Sequence, residues 1–143
     1  MRNKHISVLL TGRGNNTLAD KNVLPVLGKP LLQYPGIEAK KVSSISDYWV
    51  SSDCDKILTA ANEIGYQKIV RPKEYARPDS QHIDVIDHAL GYMAEQGSKP
   101  DIIVVLLANS VTVKAEWIED CINAILKNND ITACVPVFKD LDH

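Results

Sequence analysis

The sequence has no excess of either charge. Its 16 Lys and Arg against 18 Asp and Glu leave a net charge of −2. That argues against a nucleic-acid or membrane-surface binder, which would carry a basic patch. No apolar run approaches the roughly 20 residues that span a bilayer. The apolar stretch behind the basic start Met1-Arg2-Asn3-Lys4-His5 is too short for a signal peptide. Cysteines number only three; Cys54, Cys121 and Cys134 are scattered, and no pair has metal-ligand spacing. The expectation is three small, reduced, apolar residues in a cytoplasmic protein. Internal repeats, low-complexity segments and linkers are also lacking. What remains, at 143 residues, is one domain of ordinary apolar content, large enough for a core.

Strand and helix patterns alternate along it. The apolar run from His5 to Leu10 reads as a buried strand. Pro30 to about Lys40 reads as a helix with Pro30 at its start. Pro35-Gly36 in its middle removes a hydrogen bond and crowds the preceding turn, so a short, kinked or late-starting helix is expected. Asp47 to Ser51 is a second strand. Asp55 to Ile64 is a helix with Ile57, Leu58, Ala61 and Ile64 on one face, stopped by Gly65. Gln67 to Val70 is a short strand, and the polar stretch from Lys73 to His82 is a loop. Ile83 to Gln96 is the clearest helix, with an apolar stripe of Ile83, Ile86, Leu90 and Met93. Ile102 to Leu107, six apolar residues in a row, suits a central parallel strand covered on both faces. Ala115 to Leu126 is a helix with Ile118, Cys121, Ile122 and Ile125 inward, and Ile131 to Phe138 a last strand. The alternation predicts an α/β fold of three layers, a Rossmann-like, mainly parallel sheet between helices.

Ligands of such sheets sit beyond the carboxyl ends of the strands. That edge collects the loop after Leu10, Ser52-Asp53, Arg71 and Ala108-Asn109-Ser110. The first loop, Thr11-Gly12-Arg13-Gly14-Asn15-Asn16, is small and polar. Glycines let backbone amides approach a ligand without a clashing Cβ, and successive amides can cradle phosphates. Arg13, Lys21 and Lys29 add full charges. The loop lacks the third glycine of a dinucleotide fingerprint and the Gly-Lys-Ser/Thr of a P-loop. An ordinary strand-to-loop turn with solvated cations fits the same residues. Arg71 is equally suited to a structural ion pair with Glu74 or Asp79. Asp53 suits a cap on the next helix as well as it suits a metal.

The order of short motifs resembles the acylneuraminate cytidylyltransferase family, the CMP-sialic acid synthetases. The resemblance lies in Lys21-Asn22, Gly28-Lys29-Pro30-Leu31, Ser51-Ser52-Asp53, Arg71-Pro72-Lys73-Glu74-Tyr75-Ala76 and Asp84-Val85-Ile86-Asp87-His88-Ala89-Leu90. It covers almost the whole chain. It implies a nucleotide-diphospho-sugar transferase fold and transfer of CMP from CTP to a sialic-acid-like sugar acid, with Mg²⁺ and release of pyrophosphate. It also implies a cytoplasmic homodimer. Carried over, Lys21 and Arg13 would neutralise phosphates as the catalytic cations. Thr11, Gly12, Gly14, Asn15, Asn16 and Asn22 would hold the nucleotide, and Arg71 would lie near the nucleoside. Ser80 and His82 would add nucleotide contacts, and Asn109 and Ser110 would face the acceptor.

The sequence departs from that family in places. Gly12 stands where the family loop has arginine, Asn16 where it has lysine, and Ala19 where it has proline. Leu107-Ala108-Asn109-Ser110 lacks the substrate-facing glutamine. The part of the family domain that carries metal-binding aspartates would follow His143, so no metal ligand is carried over. Two other readings stay open: a degenerate nucleotide-binding or scaffold domain, and a glycosyltransferase using Asp53-Cys54-Asp55 as its Asp-x-Asp.

Overall fold

The computed structural model describes residues 4–12, 25–26, 28–72, 82–108 and 113–127. Strand β1 (Ile6–Thr11) is buried at all six positions. It pairs in parallel with β4 (Asp47–Ser52) on one side and β6 (Ile102–Leu107) on the other. Beyond β4 lies β5 (Gln67–Val70), also parallel, giving the order β5-β4-β1-β6. A separate two-stranded ribbon joins β2 (Pro25–Val26) to β3 (Lys29–Pro30).

Side chains alternate across a strand, so the sheet has two apolar faces. Ile6, Val8 and Leu10 of β1, Val50 of β4, and Ile102, Val104 and Leu106 of β6 share one core. That core also takes residues from α1 (Gln33–Lys40), α2 (Asp55–Asn62) and α4 (Ala115–Lys127). Leu9, Trp49 and Ile69 face the other way, against Ala89 and Met93 of α3 (His82–Glu95). The three-layer α/β architecture expected from the alternation is therefore present. Trp49 is packed, edge-on to Tyr92 at 6.3 Å between ring centroids.

Three local expectations change. Pro30 does not open a helix: it sits in β3, opposite Pro25, behind a turn in which Gly28 has φ +86°. Helix α1 starts late, at Gln33. Pro35 is then its third residue, where an N–H has no intrahelical acceptor to lose. Gly36 is needed for close approach, because a Cβ there would lie 2.6 Å from Ile64 Cδ1. The Tyr66 hydroxyl donates to the Gly36 carbonyl at 2.9 Å, and burial, with nearby Tyr48 adding, pushes that phenol far up.

The buried stripe of α3 is Val85, Ala89 and Met93, flanked by Ile86 and Leu90, while Ile83 is 58 % exposed. Met93, Ile86 and Leu90 of the expected stripe thus pack toward the sheet with Ala89, and Ile83 alone falls outside it. Strand β6 pairs only with β1 among the described residues, and Leu107 is half exposed. The strand expected over 131–138 lies outside the described residues. Lastly, Cys121 is disulfide-bonded, and Cys54 is the free thiol among the described residues. Cys121 is only half-buried on the flank of α4, so its sulfur is not locked in the core as Ile118 and Ile122 are.

Tertiary ties hold the α1 side together. Gln33 donates through Nε2 to the Ala60 carbonyl at 2.8 Å, joining the start of α1 to α2. Glu38 accepts the Ala115 N–H at 3.0 Å, so a carboxylate of α1 caps the first turn of α4. The hydrogen bond from Lys41 is the main cause holding the Glu38 carboxyl below its usual range.

Candidate functional site at the carboxyl edge of the sheet

The order in which strands are added to the sheet reverses between β1 and β6. From β1 the chain passes through α1 to β4 and through α2 to β5, on one face; it returns through α3, on the other face, to β6. In an open parallel sheet the crevice outside the strand ends at such a reversal is where ligands bind. The glycine-rich loop after β1 and the Ala108 loop after β6 start at that point. Their bases are stitched together. Ala108 N–H donates to the Thr11 carbonyl at 2.8 Å. The Thr11 hydroxyl, 5 % exposed, donates to the Leu106 carbonyl at 3.4 Å.

One strand over, Ser51 gathers three donors. Its carbonyl accepts the Gly12 N–H at 3.2 Å and Nη2 of Arg71 at 2.9 Å. Its hydroxyl accepts Nε of Arg71 at 3.2 Å. Arg71 is 4 % exposed, and a buried guanidinium is tolerable only when hydrogen-bonded. The Arg71 backbone N–H adds a bond to the Ser52 carbonyl at 2.8 Å. Ser52 in turn accepts the Cys54 N–H at 3.1 Å, turning the chain into α2. The N-cap position of α2 is Cys54, whose own side chain makes no cap bond.

The structure thus brings Thr11, Gly12 and Arg71 to one edge, beside Ala108. The Gly12 amide is spent on the sheet, which leaves any phosphate cradle to amides further along the loop. Arg13, Gly14, Asn15, Asn16, Lys21, Asn22, Ser80, Asn109 and Ser110 lie outside the described residues. His82 opens α3 in the backbone. Lys29 is exposed, its Nζ 5.9 Å from the centre of the Tyr34 ring. Sequence reasoning noted Ser51 within a motif and gave it no task. The readable signal was a serine closing a strand of otherwise aromatic and branched residues.

A second polar cluster lies at the opposite end of the strands. The Asp47 carboxylate accepts hydrogen bonds from Ser7, from Ser98 at 2.7 Å and from His5 Nε2 at 3.2 Å. Burial pushes this carboxyl up, but the bonds from Ser7, Ser98 and His5 outweigh it and hold the group below its usual range. The Trp49 indole N–H contributes in the same direction, though it makes no hydrogen bond of ordinary geometry. The set has the members of a catalytic triad without its wiring. His5 meets both Asp47 and Ser98 through the same Nε2, so no ring nitrogen relays between them. This cluster ties β1, β4 and the turn before β6 together.

No group of three or more His, Cys, Asp or Glu among the described residues is placed to hold a metal ion. A groove of about 360 Å³ runs beside α2, lined by Pro30, Asp55, Lys56, Thr59, Ala60 and Glu63; no strand of the four-stranded sheet contributes to it. Among the described residues no helix is long and apolar enough to cross a membrane.

Comparison with known proteins agrees with this geometry. The family model described as cytidylyltransferase matches residues 13–141. The chain is 29 % identical over 98 residues to the N-acylneuraminate cytidylyltransferase of Escherichia coli O18:K1:H7, covering 68 % of this chain and 23 % of that protein. It is 24 % identical over 101 residues to the 3-deoxy-manno-octulosonate cytidylyltransferase of Escherichia coli, covering 69 % and 41 %. The chain therefore spans less than half the length of these relatives. Among solved structures, a CMP:2-keto-3-deoxy-manno-octonic acid synthetase complexed with CTP superposes with TM-score 0.71 and 19 % identity, over 89 % of this chain and 49 % of that one. A cytidylyltransferase from Leptospira borgpetersenii superposes with TM-score 0.68 and 19 % identity, over 87 % and 50 %. At such identities the superpositions speak for the fold.

Proposed function

The chain belongs to the cytidylyltransferase family, and from that premise we propose that it transfers CMP from CTP to a sialic-acid-like sugar acid, releasing pyrophosphate. The observation that carries the reading is the reversal between β1 and β6, with the glycine-rich loop starting at its mouth and Arg71 fixed on the same edge. The sugar acid is supported by the relatives, whose names specify acylneuraminate and 3-deoxy-manno-octulosonate.

In this reading the anomeric hydroxyl attacks the α-phosphate, gives up its proton to water, and the bond to the departing pyrophosphate breaks. Negative charge builds on the transferring and leaving oxygens. Arg13 and Lys21 neutralise it, with amides from Gly14 to Asn16 and the Asn22 side chain orienting the phosphates. Thr11 and Gly12 form the base of that loop. Arg71 lies at the nucleoside, with Ser80 and His82 near it, and Asn109 and Ser110 face the acceptor. A magnesium ion, for which no protein ligand is assigned, would supply further charge neutralisation at the triphosphate. The reading includes a homodimer in the cytoplasm, although the Cys121 disulfide is a feature that a reducing compartment would undo.

Calorimetry with CTP and the other nucleotides, with and without Mg²⁺, tests the proposal together with a pyrophosphate-release assay. Selective CTP binding and release supports it. Binding without release marks a nucleotide-binding domain that has lost turnover, the reading favoured by Gly12, Asn16 and Ala19 at loop positions where arginine, lysine and proline were expected. No binding refutes both. Lys21→Ala is expected to cut turnover far more than it lowers folding stability; unchanged turnover would remove Lys21 from the mechanism.

A further inference from the structure

The geometry points to Ser51 as a positioning residue that sets the Arg71 guanidinium and the base of the phosphate loop against one another. This deepens the proposed function and rests on it. Ser51 is fully buried at the end of β4. Its hydroxyl takes Nε of Arg71 and its carbonyl takes Nη2, so one residue grips two sides of a rigid planar fork. The same carbonyl takes the amide of Gly12, the residue from which the first loop departs. With the Arg71 backbone also bonded to the Ser52 carbonyl, both ends of the arginine are fixed. Packing alone gives no reason for a hydroxyl here, since burying one carries a desolvation cost that alanine would avoid.

The consequence is preorganisation. A free arginine side chain would lose rotamer freedom on meeting a ligand, a penalty worth roughly tenfold in affinity. Here folding has already met that penalty. Ser51 does not touch the nucleotide: it acts through Arg71, and the shared carbonyl keeps the arginine and the loop base at a fixed separation.

The test titrates the full chain with CTP and follows the Arg71 side-chain Nε–H by ¹H–¹⁵N NMR. In the wild type that proton is expected to be sharp and slow to exchange before any CTP is added. A fast-exchanging Nε–H would overturn the proposal without any variant. Ser51→Ala is expected to weaken CTP roughly tenfold and to release the Nε–H to fast exchange, while Ser51→Thr, which keeps the hydroxyl, restores both. In an Arg71→Lys background Ser51→Ala should have no further effect on CTP affinity. A Ser51→Ala protein that melts earlier but binds CTP as tightly as wild type makes the serine merely structural and refutes the inference. If the wild type shows a protected Nε–H yet binds no CTP, the proposed function fails and the inference falls with it. The two failures are therefore told apart by the wild-type titration alone.

Discussion

Replacing Gly36 with alanine separates two opposing terms whose sizes can be worked out. In a helix interior alanine gains about 1 kcal/mol over glycine. At this position the new Cβ would lie 2.6 Å from Ile64 Cδ1, and 3.5 and 3.7 Å from two carbons of the Tyr66 ring. The ring distances are ordinary contact. The Ile64 methyl must move, and it is the tip of a half-buried side chain. Forcing such a methyl aside costs about 1–3 kcal/mol. The clash wins, with a net destabilisation of about 1 kcal/mol. Ile64→Val removes the obstructing Cδ1 and by itself costs about 0.5–1.5 kcal/mol. In that background Gly36→Ala has only its propensity gain left and should stabilise by up to about 1 kcal/mol. The coupling between the two sites is then about 2 kcal/mol. Urea denaturation of the four proteins, at constant slope, reads it directly. If Gly36→Ala stabilises equally in both backgrounds, α1 does not sit against Ile64, and the account of why Pro35-Gly36 is tolerated in a helix is wrong.

Three further outcomes follow from contacts away from the candidate site. The Asp47 carboxyl has a folded-state pKa below its unfolded value, so its stabilisation is full above the unfolded value of about 3.9 and is lost as pH falls through the lower folded one. Asp47→Asn should therefore flatten the acid limb of a stability profile below about pH 4; an unchanged limb would show that the Ser7–Ser98–His5 cluster does not couple to folding. Glu38→Ala removes the carboxylate that caps the Ala115 N–H and should cost about 0.5–2 kcal/mol, seen as a lower melting temperature, with Glu38→Gln recovering part of it. In the native chain a maleimide should reach Cys54, and Cys121 only after reduction; mass spectrometry of the labelled peptides decides this.

The composition and local pattern were enough to give the α/β class, the four strands β1, β4, β5 and β6, and the helices α2 and α4. The reason is that a fully buried parallel strand must be apolar throughout, and runs such as Val8-Leu9-Leu10 and Ile102 to Leu107 leave few other placements. Helix α3 was legible as an element and largely in its orientation. Met93, Ile86 and Leu90 of the expected stripe pack toward the sheet beside Ala89, and only Ile83 turns outward. The motifs also named the edge on which a ligand would sit, since the carboxyl ends of parallel strands converge there by topology.

Other features needed the chain to close on itself. Gly36 is required only because Ile64, almost thirty residues later, returns to touch it. Asp47 is a strand-start carboxylate until His5 and Ser7 from the start of β1, and Ser98 from the turn before β6, arrive beside it. The bonds of Arg71 to Ser51, twenty residues back, exist only once β4 and β5 lie side by side. Periodicity records which residues must leave water, because that is decided locally along one element. Which polar group meets which is decided by strand order and register, and these are written in no local pattern.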